Sequence, residues 1–205
     1  APVAISDADD ATELTDAKGQ ITFDHVTFTY PTDGGLLDSL QGGQVGEEAS
    51  SGPVLNDINI TIEAGSLVAL VGPSGAGKTT MASLVPRLYE AETGTVLVDG
   101  HDVRSLTQAS LRSAIGVVSQ DPHLFHESVA ANLRYACPDA TEAEIESACK
   151  AAQIHDMIAS LPDGYDTVVG ERGYRFSGGE KQRVAIARML LKDPAVVILD
   201  EATSH

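Results

Sequence analysis

Hydrophobic positions along the chain fall into short alternating runs, one short continuous run and longer helical stripes, with Gly- and Ser-rich stretches between them. ITFDHVTFTY (21–30) alternates in two phases, Ile21 and Phe23 first, then Val26, Phe28 and Tyr30. A phase change in a period-two pattern predicts a strand with a slip or bulge near His25. VLNDINITI (54–62) resumes the β pattern, and EAGS turns the chain. LVALV (67–71) is continuously apolar, which predicts a strand buried on both faces, as in a parallel sheet. GTVLVDG (94–100), IGVVS (115–119) and AVVIL (195–199) predict further strands.

The helical stripes lie between these runs. Thr141 and Glu144 have capping-box spacing. Beyond them Ile145, Ala148, Cys149 and Ala152 recur at helical intervals, as do Ile154, Met157, Ile158 and Leu161, until Pro162-Asp163-Gly164 breaks the pattern. Both stripes read as core packing. Residues 1–20 are small, acidic and aperiodic and read as an acidic linker; residues 31–53 lack periodicity and read as a long loop. Strands alternating with helices define an α/β fold class. The expected organisation is a core over 21–120, a helical subdomain over 121–175 and a final helix and strand over 176–205.

Composition narrows the function. The chain has 205 residues, 42% hydrophobic and 21% charged, an ordinary globular balance in which aliphatic packing replaces absent tryptophan. Its net charge of −17 is concentrated at the front, where residues 1–52 carry ten acids against Lys18 alone. A basic face for nucleic acid is therefore disfavoured, and no nucleic-acid partner is expected. Cys137 and Cys149 show no metal-ligand spacing and read as two unpaired thiols. His25, His101, His123, His126 and His155 likewise show no ligand spacing. No apolar run approaches the roughly 20 residues that cross a bilayer.

The chemistry begins at GPSGAGKT (72–79), which fits G-x-x-x-x-G-K-[ST] directly after an apolar run. Gly72, Gly75 and Gly77 let the backbone turn tightly and aim several N–H groups at one anion. Lys78 places a mobile charge on β- and γ-phosphates, and the Thr79 hydroxyl can ligate Mg²⁺. A helix beginning near Lys78 presents its N-terminus to the phosphates. This is a nucleoside-triphosphate site. At the other end AVVILDE (195–201) delivers Asp200 and Glu201 to the C-terminal edge of a parallel sheet, where ligands bind in such folds. Asp200 would hold Mg²⁺ through water, and Glu201 would accept a proton from an attacking water. Ser177-Gly178-Gly179 opens a helix in FSGGEKQRVAIARMLL (176–191) and offers a second anion site, or an ordinary Ser N-cap followed by glycines.

These motifs together resemble the nucleotide-binding domain of ABC transporters over about residues 21–205. GPSGAGKTT resembles Walker A, FSGGEKQR the ABC signature, with Phe176 for the usual Leu and Glu180 for the usual Gln, and VVILDE resembles Walker B with its catalytic glutamate. Gln120 resembles the Q-loop glutamine, Tyr30 the A-loop aromatic that stacks on adenine, and VGERG (169–173) the X-loop of exporters. The resemblance implies a RecA-like P-loop NTPase core with a mainly parallel sheet, an N-terminal antiparallel β region and an inserted α-helical subdomain. It implies ATP and Mg²⁺ as cofactors. Tyr30, Gly72, Ser74, Gly75, Ala76, Gly77, Lys78, Thr79 and Thr80 would hold the nucleotide. Ser177, Gly178 and Gly179 would grip the nucleotide of a second, head-to-tail domain. Thr79, Gln120 and Asp200 would serve the metal, and Glu201, Gln120 and Lys78 the catalysis.

The implied partners are that second nucleotide-binding domain, in a homo- or heterodimer, and a transmembrane domain reached through the Q-loop and X-loop. The implied location is the cytoplasmic face of the cell membrane, and the implied function is ATP hydrolysis powering export. Residues 34–52 read as an insertion between Tyr30 and Walker A. The family continues past EATS to a D-loop aspartate and a strand ending in the switch histidine. His205 is not that histidine, so a C-terminally truncated domain is expected. Two alternatives stay open: a nucleotide-binding and dimerisation module with little turnover, and a soluble ABC ATPase without a transport role.

Overall fold

A computed structural model of the chain describes residues 5–30, 52–119, 122–170 and 173–200, and the chain divides between Ala114 and Ile115 into two compact units. In the first unit, four strands form an antiparallel sheet in the order β2-β1-β3-β4: β1 (Ile21–Phe28), β2 (Leu55–Ile62), β3 (Thr93–Val98) and β4 (His101–Asp102). Phe23, Val26, Phe28, Val96 and Val98 are buried, and α1 (Lys78–Leu84) contributes buried Leu84. A 3-10 turn over Val103–Ser105 leads to α2 (Gln108–Ser113), whose Thr107 N-cap accepts the Ser110 N–H.

The phase change in β1 is a bulge. Its register with β2 shifts between Phe23 and Val26, and with β3 between Asp24 and Thr27. His25 there has φ 51°, and Asp57 on β2 has the same left-handed φ. The two side chains meet, His25 Nδ1 lying 2.7 Å from Asp57 Oδ1. The bulge in turn dictates Gly94, which has φ +79° and whose added Cβ would stand 2.3 Å from the His25 carbonyl oxygen.

Residues 5–20, expected to behave as a linker, lie instead against this unit. The Asp7 carboxylate accepts the Gln108 N–H and the Ile5 carbonyl accepts Gln108 Nε2. Thr12 exchanges backbone hydrogen bonds with Ser105 and Thr107. The Asp99 carboxylate accepts three successive N–H groups, those of Lys18, Gly19 and Gln20. Burial pushes that carboxyl up, but the three donors outweigh it and hold it below its ordinary range. Polar groups spaced far apart in sequence, rather than an apolar stripe, fasten the segment.

The second unit holds a parallel pair, β5 (Ile115–Val118) and β6 (Val196–Leu199), and four helices: α3 (Val129–Arg134), α4 (Glu142–Ala151), α5 (His155–Ala159) and α6 (Gly178–Lys192). Its core runs from Leu124 to Ala187 and takes in the predicted stripe: Ile145, Ala148, Cys149, Ala152, Ile154, Ile158 and Leu161 are all buried. The predicted capping box at Thr141 and Glu144 is present. Because α6 buries Val184 and Ala187 in the same cluster, the expected helical subdomain and the signature helix share one core. Cys137 and Cys149 are both free thiols, and burial pushes the Cys149 thiol up.

Residues 67–71 depart from expectation. They form no strand, and Leu67 and Val71 are 99% and 89% exposed. A continuous apolar run becomes a buried strand only where neighbouring strands pair with its backbone, and among the described residues none does. The parallel sheet seen there is accordingly two-stranded. Val117, Val197 and Leu199 on it are also exposed.

Two predictions follow from the bulge. Gly94→Ala should destabilise the chain by about 1–3 kcal/mol, through backbone strain and the clash with His25. Gly52→Ala, with nothing within 4 Å of its added Cβ, should change stability by less than about 0.5 kcal/mol; urea midpoints compare the two. The Asp57 hydrogen bond, then the Asp57 and Asp24 charges, raise the His25 pKa above its ordinary 6.5. A raised folded pKa stabilises below the unfolded value and loses that effect as pH rises through the folded value. The melting-temperature gap between wild type and Asp57→Asn should therefore be widest below pH 6.5 and narrow in alkali. A gap independent of pH would show that the pair does not titrate with folding.

Candidate functional site

The loop over 72–77 bends where the sequence supplies glycine. Gly75 and Gly77 have φ of +79° and +83°, and an added Cβ at Gly77 would stand 2.7 Å from Leu55 Cδ2 and 3.1 Å from the Val54 carbonyl. A turn closes through the Ala76 N–H to the Pro73 carbonyl, and α1 begins at once with Gly77 as its N-cap. Lys78 Nζ folds back over the loop and donates to the Gly72 and Pro73 carbonyls, each at 2.9 Å. The ammonium is thus held inside the loop's concavity by neutral oxygens that a stronger acceptor can replace. Ser74, Gly75, Ala76 and Thr79 are exposed along the same loop and first turn.

Tyr30 joins this loop. Its phenol oxygen lies 2.9 Å from the Thr80 hydroxyl, and Phe28 and Tyr89 meet its ring edge-to-face. Thr80 is only 4% exposed. Of the residues assigned to the nucleotide, those in the first unit therefore form one contiguous group.

The second unit carries the rest. Ser177 caps α6: its hydroxyl accepts the Glu180 N–H, and the Glu180 carboxylate accepts both the Ser177 N–H and the Ser177 O–H. The Gly178 and Gly179 N–H groups open the helix with no partner inside it. Asp200 follows β6 and donates its N–H to the Val118 carbonyl, which carries the parallel pairing to the end of the strand. Gln120 and Glu201 lie outside the described residues. Thr79 and Asp200 are hard oxygen donors of the kind Mg²⁺ takes.

One buried network escaped sequence reasoning. Asn132 is fully buried; its amide pairs with the Phe125 N–H and C=O and reaches the Glu127 and Ser128 carbonyls. Arg188 of α6 donates to the Asn132 carbonyl and side-chain oxygen and to the His123 carbonyl. Burial lowers the Arg188 pKa. The fork fixes residues 123–128 against α6, where Phe125 and Tyr135 are half-exposed with their rings tilted by 33° and centres 4.4 Å apart. The local sequence ANLRYA (131–136) carries no signal for this, because the partners stand 56 residues apart.

A glycine loop closed over its own lysine at a helix start, in a mixed α/β chain, defines a P-loop nucleoside-triphosphatase fold. The chain belongs to the ABC transporter family, whose profile matches residues 55–204. It is 46% identical over 194 residues to the heavy metal tolerance protein of Schizosaccharomyces pombe, covering 95% of this chain and 21% of that protein. It is 47% identical over 200 residues to ATP-binding cassette sub-family B member 6 of Mesocricetus auratus, covering 98% of this chain and 22% of that one. Among solved structures, a bacterial Atm1-family ABC exporter with ATP bound superposes with a TM-score of 0.83 at 44% identity, over 98% of this chain and 32% of that chain. The chain thus spans between a fifth and a third of the length of these relatives. Among the described residues no helix is long and apolar enough to cross a membrane.

The Asn132–Arg188 fork yields a sharp expectation. Arg188→Lys keeps the charge but cannot serve three acceptors with one planar fork. It should cost about 1–3 kcal/mol, since it loses part-buried charge-assisted bonds to the Asn132 oxygens. Near-wild-type stability of Arg188→Lys in urea would mean that the charge alone suffices.

Proposed function

We propose that this chain is the ATP-binding and hydrolysing domain of an exporter, working as one half of a head-to-tail pair at the cytoplasmic face of a membrane. The observation that carries the proposal is the Lys78 ammonium turned into a loop whose glycines have left-handed backbones. In this reading the β- and γ-phosphates displace the Gly72 and Pro73 carbonyls from Lys78. Backbone N–H groups over 74–80 then surround the phosphates. Mg²⁺, when bound, neutralises charge on the β- and γ-oxygens. Thr79, Asp200 and Gln120 are the residues to hold it, and Glu201 orients and deprotonates the attacking water. Ser177, Gly178 and Gly179 meet the nucleotide of the second domain, so ATP itself joins the two.

The same reading assigns the Q-loop at Gln120, together with residues 169–173, to contact with a transmembrane domain. The relatives support an exporter: one is a bacterial Atm1-family ABC exporter solved with ATP bound. The expected organisation into an ATP-binding core, a helical region and a signature helix with Walker B strand accompanies this proposal.

Lys78→Ala and Glu201→Gln separate binding from turnover. Lys78→Ala should abolish measurable ATP binding in calorimetry. Glu201→Gln, in the full-length transporter, should bind ATP as wild type does and hydrolyse it about 10²–10⁴-fold more slowly, the usual contribution of a general base. Equal ATP affinity in wild type and Lys78→Ala would refute the phosphate assignment. Undiminished turnover in Glu201→Gln would remove that residue from the chemistry.

A further inference from the structure

Residues 5–20 meet the helix of the candidate site through Arg87. α1 starts at Lys78, beside the glycine loop, and spans seven residues to Leu84. Arg87 closes its far end: the Arg87 N–H donates to the Leu84 carbonyl and the Leu88 N–H to the Ser83 carbonyl, as in a helix C-cap. Glycine usually takes this place, yet Arg87 holds φ 53° there. Its side chain explains the exception. The residue is 5% exposed, Nε and Nη2 donate to the Glu90 carboxylate at 2.9 and 2.7 Å, and Nη2 also donates to the Ser6 carbonyl at 3.2 Å. Nη1 is buried and has no acceptor among the described residues. Among those residues, the Ser6 carbonyl is thus the one acceptor that reaches this buried cation from outside its own turn.

The segment that carries Ser6 is lightly fastened. Gln108 Nε2 donates to the Ile5 carbonyl, the Gln108 N–H to Asp7, and Thr12 exchanges backbone bonds with Ser105 and Thr107. None of the side chains over 5–20 is fully buried, so hydrogen bonds rather than apolar cover hold it. Segments held in this way open locally at low cost. We propose that residues 5–12 form a releasable strap that regulates the nucleotide site: seated, it holds Arg87 and the end of α1 through the Ser6 carbonyl; released, it lets that end unwind and loosens the phosphate loop at the other. This rests on the nucleotide reading of residues 72–79 and adds a regulator to it. α1 is the element that both ends bias, since a helix of seven residues is marginal by itself. Phosphates stabilise its first turn through the loop N–H groups and the helix dipole. The Arg87 turn stabilises its last, and a buried guanidinium stripped of an acceptor is costly to keep. Coupling between sites is reciprocal, so nucleotide seats the strap by the same factor as the strap tightens nucleotide.

The test reads both directions on the purified chain. Calorimetry with MgATP first measures binding to the unmodified chain. Amide exchange by NMR then follows the Gln108 and Thr12 N–H groups, whose bonds tie the strap down, with and without saturating MgATP. Nucleotide should slow both about fivefold or more, the low end of coupling between sites. A ligand indifferent to the strap would leave this local opening as it is. In the other direction, Asp7→Ala/Gln108→Ala removes two ties of the strap and no group of the nucleotide site, and should weaken MgATP binding by up to the same factor. Arg87→Gly suits the left-handed backbone and removes the link itself. It should abolish the effect of MgATP on the two amides, and adding Asp7→Ala/Gln108→Ala to it should weaken binding no further.

Strap amides that exchange equally fast with and without bound MgATP would overturn the proposal. So would wild-type MgATP affinity in Asp7→Ala/Gln108→Ala, or a strap that still responds to nucleotide in Arg87→Gly. If Arg87→Gly proves unfolded by its melting curve, the other two comparisons decide without it. Failure of the unmodified chain to bind MgATP would overturn the nucleotide reading together with this one, and the calorimetry on that chain tells this failure apart from failure of the strap alone.

Discussion

Phe28 and Leu55 face each other across β1 and β2, and both arms of the candidate site are fastened to that pair. Leu55 presses its side chain against Gly77, where no Cβ fits, and so fixes the bend from which Lys78 and α1 depart. Phe28 lies edge-on to Tyr30 and tilted against Tyr89. The Val54 N–H closes the corner on the Phe28 carbonyl at 2.8 Å. A loop that binds phosphate must keep its N–H groups convergent without a ligand present, and a helix of seven residues cannot enforce that by itself. The antiparallel sheet supplies the rigidity. Its buried face is what lets an exposed, glycine-rich loop hold one shape.

The readable parts of this chain were those whose cause is local. Both helical stripes in the second unit, the capping box at Thr141, the bulge at His25 and the phosphate loop each follow from residues within one or two turns of each other. The glycines at 75 and 77 announce left-handed backbone whatever surrounds them. What stayed hidden depends on partners far away in sequence. Residues 5–20 look unstructured because they lack a stripe, yet they are fastened by the Asp99 carboxylate and by the N–H groups of Gln108, about 80 to 100 positions on. Asn132 and Arg188 look like ordinary helix-surface residues until the burial of the amide is known.

LVALV shows the converse failure. β-propensity measures how well side chains suit a pleated, half-buried surface, not whether such a surface is offered. The run has the composition of a central strand, and among the described residues it has neither a ladder partner nor cover over Leu67 and Val71. The same holds more mildly for β6, which among the described residues pairs only with β5 and exposes Val197 and Leu199. Apolar strands of this kind are specified by their neighbours, so their state is a property of the sheet and not of the segment.

The start of α6 shows how one substitution within a motif changes the chemistry it can perform. With Glu at position 180, the Ser177 hydroxyl and N–H both have a carboxylate to bond, and the helix N-terminus has a negative charge in its first turn. A capping box of this kind stabilises the helix start by about 1 kcal/mol. Yet the same oxygen that caps the helix is the one assigned to an incoming phosphate. For Ser177 to donate to a phosphate it must release Glu180, and the carboxylate must turn away from an arriving anion that repels it. The two glycines make this exchange feasible, because Gly178 and Gly179 keep N–H groups that owe nothing to Glu180 and can receive the anion first. On the proposed assignment, anion capture at this helix start would be set by a competition between two negatively charged groups for one hydroxyl, with the glycine N–H groups as the route by which the phosphate gains the advantage.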